Sequence, residues 1–353
     1  MVNKLNKFQT EIVIEDKVIS SKSPTYIIAE AGVNHNGDMV LAKRLVDVAC
    51  EAGADAVKFQ LFDPDELILP DVEKAPYQKT AKAHVSQYDM LKELQISKHQ
   101  CLELKDYCFE KGITFLATPF DFKSLDELRE LGIAALKISS TDTTNVGFLI
   151  EVAKSKVPII LSTGMCFGDE VALALDALSA YTRDVILLHC TSAYPFPESE
   201  ANLNNIKQFT EQYGIITGYS DHSEGIGVSP YAVAAGAKVI EKHFTLDKNM
   251  TGPDHKASLE PQELIKFVQE IQRVDNILGS HRKNVSLCEL ENRKAMQKCL
   301  VAKRDIFKGQ LICDDDIVAK RTGGKGVPAI YFTDIVGTRA CSDFAKNELI
   351  RLS

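Results

Sequence analysis

With 353 residues, 45% of them hydrophobic and 25% charged, the chain is long enough for one large domain and a small one, and its composition is ordinary for a globular protein. A formal net charge of -8 without a long basic run argues against nucleic acid and anionic membrane as partners, and no apolar run is long enough to span a bilayer. Nine cysteines lie scattered without metal-knuckle spacing, behind an opening MVNKLNKFQTEIV that has no apolar core or cleavage site; they read as reduced thiols in a cytoplasmic protein.

The stretch from Phe8 to Ser20 alternates apolar and polar residues around Glu15, Asp16 and Lys17, the pattern of a small hairpin. After Pro24, apolar strands alternate with amphipathic helices. Strands are expected at Tyr26–Glu30, Ala56–Gln60, Thr114–Pro119 and Ala135–Ser140, then at Pro158–Thr163, Val185–Cys190, Ile215–Ser220 and Val239–Phe244. Helix-period segments such as LAKRLVDVACEAG and SLDELRELG end at glycines, Gly53 and Gly132, that suit a C-terminal cap. Eight strands alternating with helices over roughly 250 residues predict a parallel (β/α)8 TIM barrel. A doubly wound open sheet is the alternative, and it lacks a glycine-rich phosphate fingerprint after its first strand.

The interval from Leu61 to Ser86 is too long for a plain connection and reads as an inserted lid or binding loop before a helix at Tyr88–Leu94. A helix from Pro261 to Leu278 closes the barrel domain, residues 1–278. Residues 279–293 lose periodicity and read as a linker. Residues 294–353 hold short strands and turn residues, a second, β-rich domain too small to bury much apolar surface alone.

Chemistry in such barrels sits where strands meet the following loops. There the sequence sets Glu30, Lys58, Gln60, Thr118, Lys137, Ser140, Asp142, Ser162, Ser192, Tyr194, Ser220, His222, Glu241 and His243. Two lysines among hydroxyls suit a phosphate or carboxylate. Glu241 and His243 stand two apart and face one side of an extended segment, as Ser220 and His222 do. Two imidazoles and a carboxylate make a candidate divalent-metal site. Anion pocket plus Lewis acid points to a phosphorylated substrate whose partner is polarised by a metal. A Schiff-base aldolase with Lys58 or Lys137 as nucleophile is the rival reaction, and it leaves both histidines idle. From another class comes a non-catalytic carbohydrate-binding tail on a barrel scaffold.

In AEAGVNHNG (29–37), VKFQ (57–60), ATPFD (117–121), LSTGM (161–165), HCTSAYP (189–195), GYSDHSEGI (218–226) and EKHFTLDKNMTGPDHKASL (241–259) the chain resembles the sialic acid synthase family. In the tail, AKRDIFKGQ and KRTGGKG resemble the antifreeze-like (SAF) domain that ends those synthases. The resemblance covers nearly the whole chain. It implies condensation of phosphoenolpyruvate with an N-acetylated mannose-type sugar to a nine-carbon sialic acid and phosphate. It implies His222 and His243 as ligands of a divalent metal, manganese or magnesium. Lys58, Thr118, Lys137, Ser140, Ser162 and Ser220 fall on positions that bind phosphoenolpyruvate, and Glu30, Gln60, Tyr194 and Asp254 on positions lining the sugar and metal. Arg321 matches an arginine that the small domain carries into the partner subunit's site, so a domain-swapped homodimer is implied. Two positions depart from the family pattern: Asp142 stands for a glutamate, and Ser192 for a frequent asparagine, though its hydroxyl still donates a hydrogen bond. Glu30 or Asp142 is the candidate for proton handling, with Lys58 and Lys137 holding the anionic substrate. N-acetylmannosamine, giving N-acetylneuraminate, is the first reading of the sugar; a 2,4-diacetamido-trideoxy hexose, giving legionaminate, is the alternative.

Overall fold

The computed structural model describes residues 8–73, 86–280 and 282–351. A hairpin of β1 (Glu11–Ile14) and β2 (Lys17–Ser20) opens the described chain. Eight parallel strands then close into a barrel: β3 (Tyr26–Gly32), β4 (Ala56–Leu61), β5 (Thr114–Pro119), β6 (Leu136–Ile138), β7 (Ile159–Ser162), β8 (Val185–Cys190), β9 (Ile216–Asp221) and β10 (Val239–His243). Strand β10 pairs with both β9 and β3, which completes the ring.

Side-chain alternation along each strand sorts the residues. Outward positions such as Ile27, Val57, Phe115 and Ile240 join the core shared with the helices. Inward positions near the strand starts, among them Tyr26, Ala56, Leu116, Ile160, Ile186 and Val239, form a second apolar cluster, and Ile12, Ile14 and Ile19 of the hairpin belong to it. The hairpin therefore plugs the N-terminal mouth. Farther along, the same inward rows change character: Glu30 follows Ile28, Lys58 follows Ala56, Thr118 follows Leu116, and Glu241 and His243 follow Val239. An oily plug below thus forces a polar layer at the C-terminal ends, and this layering positions the site.

The first helix, α1 (Met39–Ala52), starts where Asp38 accepts hydrogen bonds from the Val40 and Leu41 amides and stops at Gly53, whose φ is 79°. The expected inserted loop contains a short helix, α2 (Pro64–Leu67), and is followed by α3 (Gln87–Leu94); residues 74–85 of it lie outside the described residues. Among the described residues, no helix is long and apolar enough to cross a membrane.

The chain divides into two compact units, Met1–Gly279 and Ser280–Ser353. In the second, β11 (Lys298–Ala302) and β12 (Ile317–Arg321) pair antiparallel over a small core that includes Leu300, Ile306, Ile317 and Phe344. The stretch expected to be a plain linker is partly helical: a 3-10 turn at Leu287–Glu289 runs into a helix at Leu290–Met296. Leu287, Leu290 and Met296 are exposed there, so no buried face imposes a period that could be read.

Candidate active site at the barrel mouth

A cavity of about 460 Å³ opens at the C-terminal ends of the strands, within the size range of small-molecule sites. Every candidate residue lines it except Asp142 and Arg321. Asp142 lies in a 3-10 turn after β6 and turns away. Its carboxylate accepts from Asn145 Nδ2 at 3.2 Å and from Thr141 Oγ1 at 3.3 Å, and burial raises its pKa. Arg321 ends β12 in the second unit, exposed. Of the other strand-end polar residues, His189 bonds the Ala201 carbonyl at 2.8 Å, and Asp221 pairs with Lys242 at 3.2 Å outside the barrel wall.

The cavity floor is an alternating set of buried charges. Lys58, 3% exposed, lies 2.7 Å from Glu30 and donates to Thr118 Oγ1 at 2.9 Å. Gln60 donates to the other oxygen of Glu30 at 3.1 Å. Glu241 sits between the lysines, 3.9 Å from Lys58 and 3.7 Å from Lys137, and accepts from Ser220 Oγ at 2.9 Å. Burial favours the neutral form of Glu241, but Lys137, Lys58 and Ser220 outweigh it and hold the carboxylate ionised. Desolvation raises the pKa of Glu30 even beside Lys58, and it lowers that of Lys137. Asp254, half-buried, is pushed up to about 6 by desolvation and by Glu30.

Glu241 shows what strand alternation leaves open. The sequence pattern offers it as a carboxylate beside the two histidines, and the structure sets it between the two lysines. That choice depends on lateral neighbours, because Glu241 lies beside Ser220 across the β9–β10 pair. Cys190, which no sequence motif marks as functional, also lines the cavity, with its sulfur 3.7 Å from His222 Nδ1.

Two glycines explain small-residue motifs around the cavity. A β-carbon at Gly32, whose φ is +54°, would lie 3.3 Å from both Glu30 Oε1 and Gln60 Nε2. One at Gly164 would collide with Ser192 Oγ and stand 2.9 Å from Ser140 Oγ, which accepts the Gly164 amide at 2.8 Å.

The rings of His222 and His243 have centroids 5.5 Å apart, and the Tyr194 ring lies 4.0 Å from that of His222, tilted by 38°. His222 Nδ1 lies 2.9 Å from the Thr191 carbonyl. A carbonyl only accepts, so Nδ1 carries the proton and Nε2 keeps a lone pair. Burial favours the neutral form of this ring, but Cys190 and the Thr191 carbonyl outweigh it and raise its pKa, so a cation at Nε2 competes with a proton. His243 is held well below its ordinary pKa by desolvation and then by His222; its Nδ1 is buried with no hydrogen-bond partner. A neutral imidazole with an orphaned nitrogen, facing a second imidazole with a free lone pair, fits a divalent cation. Among the described residues, no set of three or more histidine, cysteine or carboxylate side chains converges as a metal cage. The two imidazoles would leave most of the coordination shell to water and substrate oxygens.

A family model described as the NeuB family matches residues 45–283 of this chain. The chain belongs to the NeuB family. A second model, the SAF domain, matches residues 297–353. The chain is 44% identical to an N,N'-diacetyllegionaminic acid synthase of Campylobacter jejuni over 93% of its own length and 99% of that protein's. It is also 44% identical to one of Legionella pneumophila over 90% and 91%, and 35% identical to the N-acetylneuraminate-9-phosphate synthase of Homo sapiens over 94% and 93%. The crystal structure of an N-acetylneuraminic acid (sialic acid) synthetase from Leptospira borgpetersenii in complex with citrate superimposes with a TM-score of 0.72 at 37% identity, covering 81% of this chain and 97% of that one. As a NeuB-family member the chain is an enzyme, a phosphoenolpyruvate-dependent transferase.

Proposed function

We propose that this enzyme condenses phosphoenolpyruvate with a 2,4-diacetamido-trideoxy hexose to give N,N'-diacetyllegionaminate and phosphate. The observation that carries the reaction class is the single cavity that joins a buried lysine pair to a neutral imidazole pair. For the sugar, the likeness to two legionaminic acid synthases at 44% supports the diacetamido hexose over N-acetylmannosamine, the first choice from sequence.

Lys58 and Lys137, with the hydroxyls of Thr118, Ser140, Ser162 and Ser220, hold the phosphate and carboxylate of phosphoenolpyruvate over the floor. The methylene carbon attacks the aldehyde carbon of the open-chain sugar, and the aldehyde oxygen takes a proton to become a hydroxyl. Water adds to the former enol carbon and loses a proton, and the C–O bond to phosphate breaks as the new hydroxyl becomes the keto C=O and gives its remaining proton to the departing phosphate. A divalent cation held by His222 and His243 would supply Lewis-acid polarisation of the aldehyde. Glu30 and Asp254 face the cavity with pKa values raised by burial, and that of Asp254, about 6, suits proton transfer near neutral pH. Gln60, Ser192 and Tyr194 line the sugar side. Arg321 reaches the acetamido group from the partner subunit of a domain-swapped homodimer.

One observation favours a second reading. Desolvation lowers the pKa of Lys137, as a Schiff-base lysine requires. The two are separated by assaying phosphate release with manganese, with the diacetamido hexose or N-acetylmannosamine as acceptor. Release that depends on phosphoenolpyruvate, metal and the diacetamido sugar together is expected. Borohydride trapping of pyruvate on Lys137 without phosphate release would refute the synthase.

A further inference from the structure

Strand pairing stops just short of one of the two imidazoles. The β9–β10 ladder ends at the pair Asp221–Lys242, and the β8–β9 ladder ends at Cys190–Ser220. His222 is the next residue, beyond both, whereas His243 is still paired with Glu30 of β3. What fixes His222 lies outside the barrel wall. There the charges of Asp221 and Lys242 meet at 3.2 Å, with both side chains at most 1% exposed. Asp221 Oδ1 accepts from the Ser223 amide at 2.8 Å and from Ser223 Oγ at 2.6 Å, and its Oδ2 accepts from Ser229 Oγ at 2.6 Å. Lys242 Nζ donates to the Ser223 carbonyl at 2.5 Å. Ser223 is thus held through its amide, hydroxyl and carbonyl, and His222 stands between two residues of one buried network.

We propose that Asp221 and Lys242 are positioning residues for the metal: their ion pair, acting through Ser223, holds the His222 ring at the spacing from His243 that a divalent cation requires. The proposal rests on the reading of His222 and His243 as metal ligands. Stability alone does not explain the pair. Two buried charges cost desolvation that their attraction roughly repays, and an apolar pair of similar volume would serve the core as well. A fully satisfied polar network instead specifies one geometry. Asp221 immediately precedes His222 and Lys242 immediately precedes His243. Joining the two charges therefore joins the two backbone positions that carry the rings.

Manganese binding to the full chain without substrates, read from the EPR signal of the free ion, tests this beside chemical denaturation and the KM for phosphoenolpyruvate at saturating manganese. Lys242→Met leaves Asp221 buried without its cation and should lower both stability and manganese affinity. Combining it with Asp221→Asn leaves no charge unpaired. Stability should then return close to that of the wild type while manganese affinity stays about 10–100-fold down, the usual effect of losing a ligand's supporting partner. Ser229→Ala keeps both charges and removes one hydrogen bond to Asp221, so binding about fivefold weaker is expected. The KM for phosphoenolpyruvate should hold in all three. Affinity that returns together with stability in the double variant, or a KM for phosphoenolpyruvate that rises in step, makes the pair structural only and overturns the proposal. Should the double variant not fold, Ser229→Ala decides alone, and wild-type affinity there overturns the proposal. If His222→Ala and His243→Ala bind manganese as tightly as the wild type, the metal reading falls and this proposal with it.

Discussion

Lys58 is enclosed by two carboxylates and a hydroxyl, with its side chain only 4% exposed. Removing it leaves Glu30 and Glu241 buried without their nearest cation, so Lys58→Met should cost about 3–5 kcal/mol of stability by chemical denaturation. Adding Glu30→Gln should restore most of that stability and none of the phosphate release, which separates the lysine's structural role from its catalytic one. His35 gives a pH signature. Its ring is fully buried, and desolvation lowers its pKa from 6.5 to about 4. Between those values the unfolded chain binds a proton that the folded chain does not. Stability is therefore whole above pH 6.5 and falls by roughly 3 kcal/mol as the pH drops through 4. In His35→Asn, which keeps an acceptor for the Gly37 amide now bonded at 3.0 Å, denaturation at pH 7, 5.5 and 4 should lack this part of the slope. At this scale the sequence was legible where strand alternation decides direction, as for Lys58, Lys137 and His243. It was illegible at Asp142, because a 3-10 turn rotates that carboxylate toward Asn145.

The turn after β3 and the segment after β10 act as one element. Asn34 Nδ2 donates to the Phe244 carbonyl at 2.8 Å and to Ser258 Oγ at 3.0 Å, and Ser258 Oγ donates to the Asp254 carbonyl at 2.7 Å. His255 Nε2 donates to Asn36 Oδ1 at 3.1 Å, so its Nδ1 accepts from Thr245 Oγ1 at 2.6 Å. This buried network fixes the loop that brings Asp254 to the cavity. His255→Ala should lower kcat/KM for the sugar by roughly 100-fold while the KM for phosphoenolpyruvate holds, since misplacement by about 1 Å has that effect on a reacting geometry. A matching loss for both substrates would mean general collapse. The eight strands were readable because each is a short apolar run between amphipathic helices. The apolar side of the cavity, lined by Leu67 and Met90, was not, since α2 spans four residues and shows no period, and the cavity-facing side of α3 is set by packing against Phe62 and Phe120.

For the whole molecule, the proposed lid in trans makes a mixing experiment decisive. Arg321→Ala and His222→Ala homodimers should each be inactive. Co-refolded in equal amounts, they should recover about a quarter of wild-type activity, because half the dimers are mixed and each of those holds one complete site. An active Arg321→Ala homodimer would place Arg321 outside the chemistry, and two inactive parents without recovery would place it with its own chain's site. The central claim is condensation with loss of phosphate by C–O cleavage, and oxygen labelling tests it most directly. Phosphoenolpyruvate carrying ¹⁸O in the bridge between C2 and phosphorus is turned over with the diacetamido hexose and manganese, and both products are weighed by mass spectrometry. The label is expected in the inorganic phosphate; label retained in the nine-carbon acid, or phosphate released without any such acid, would contradict the account.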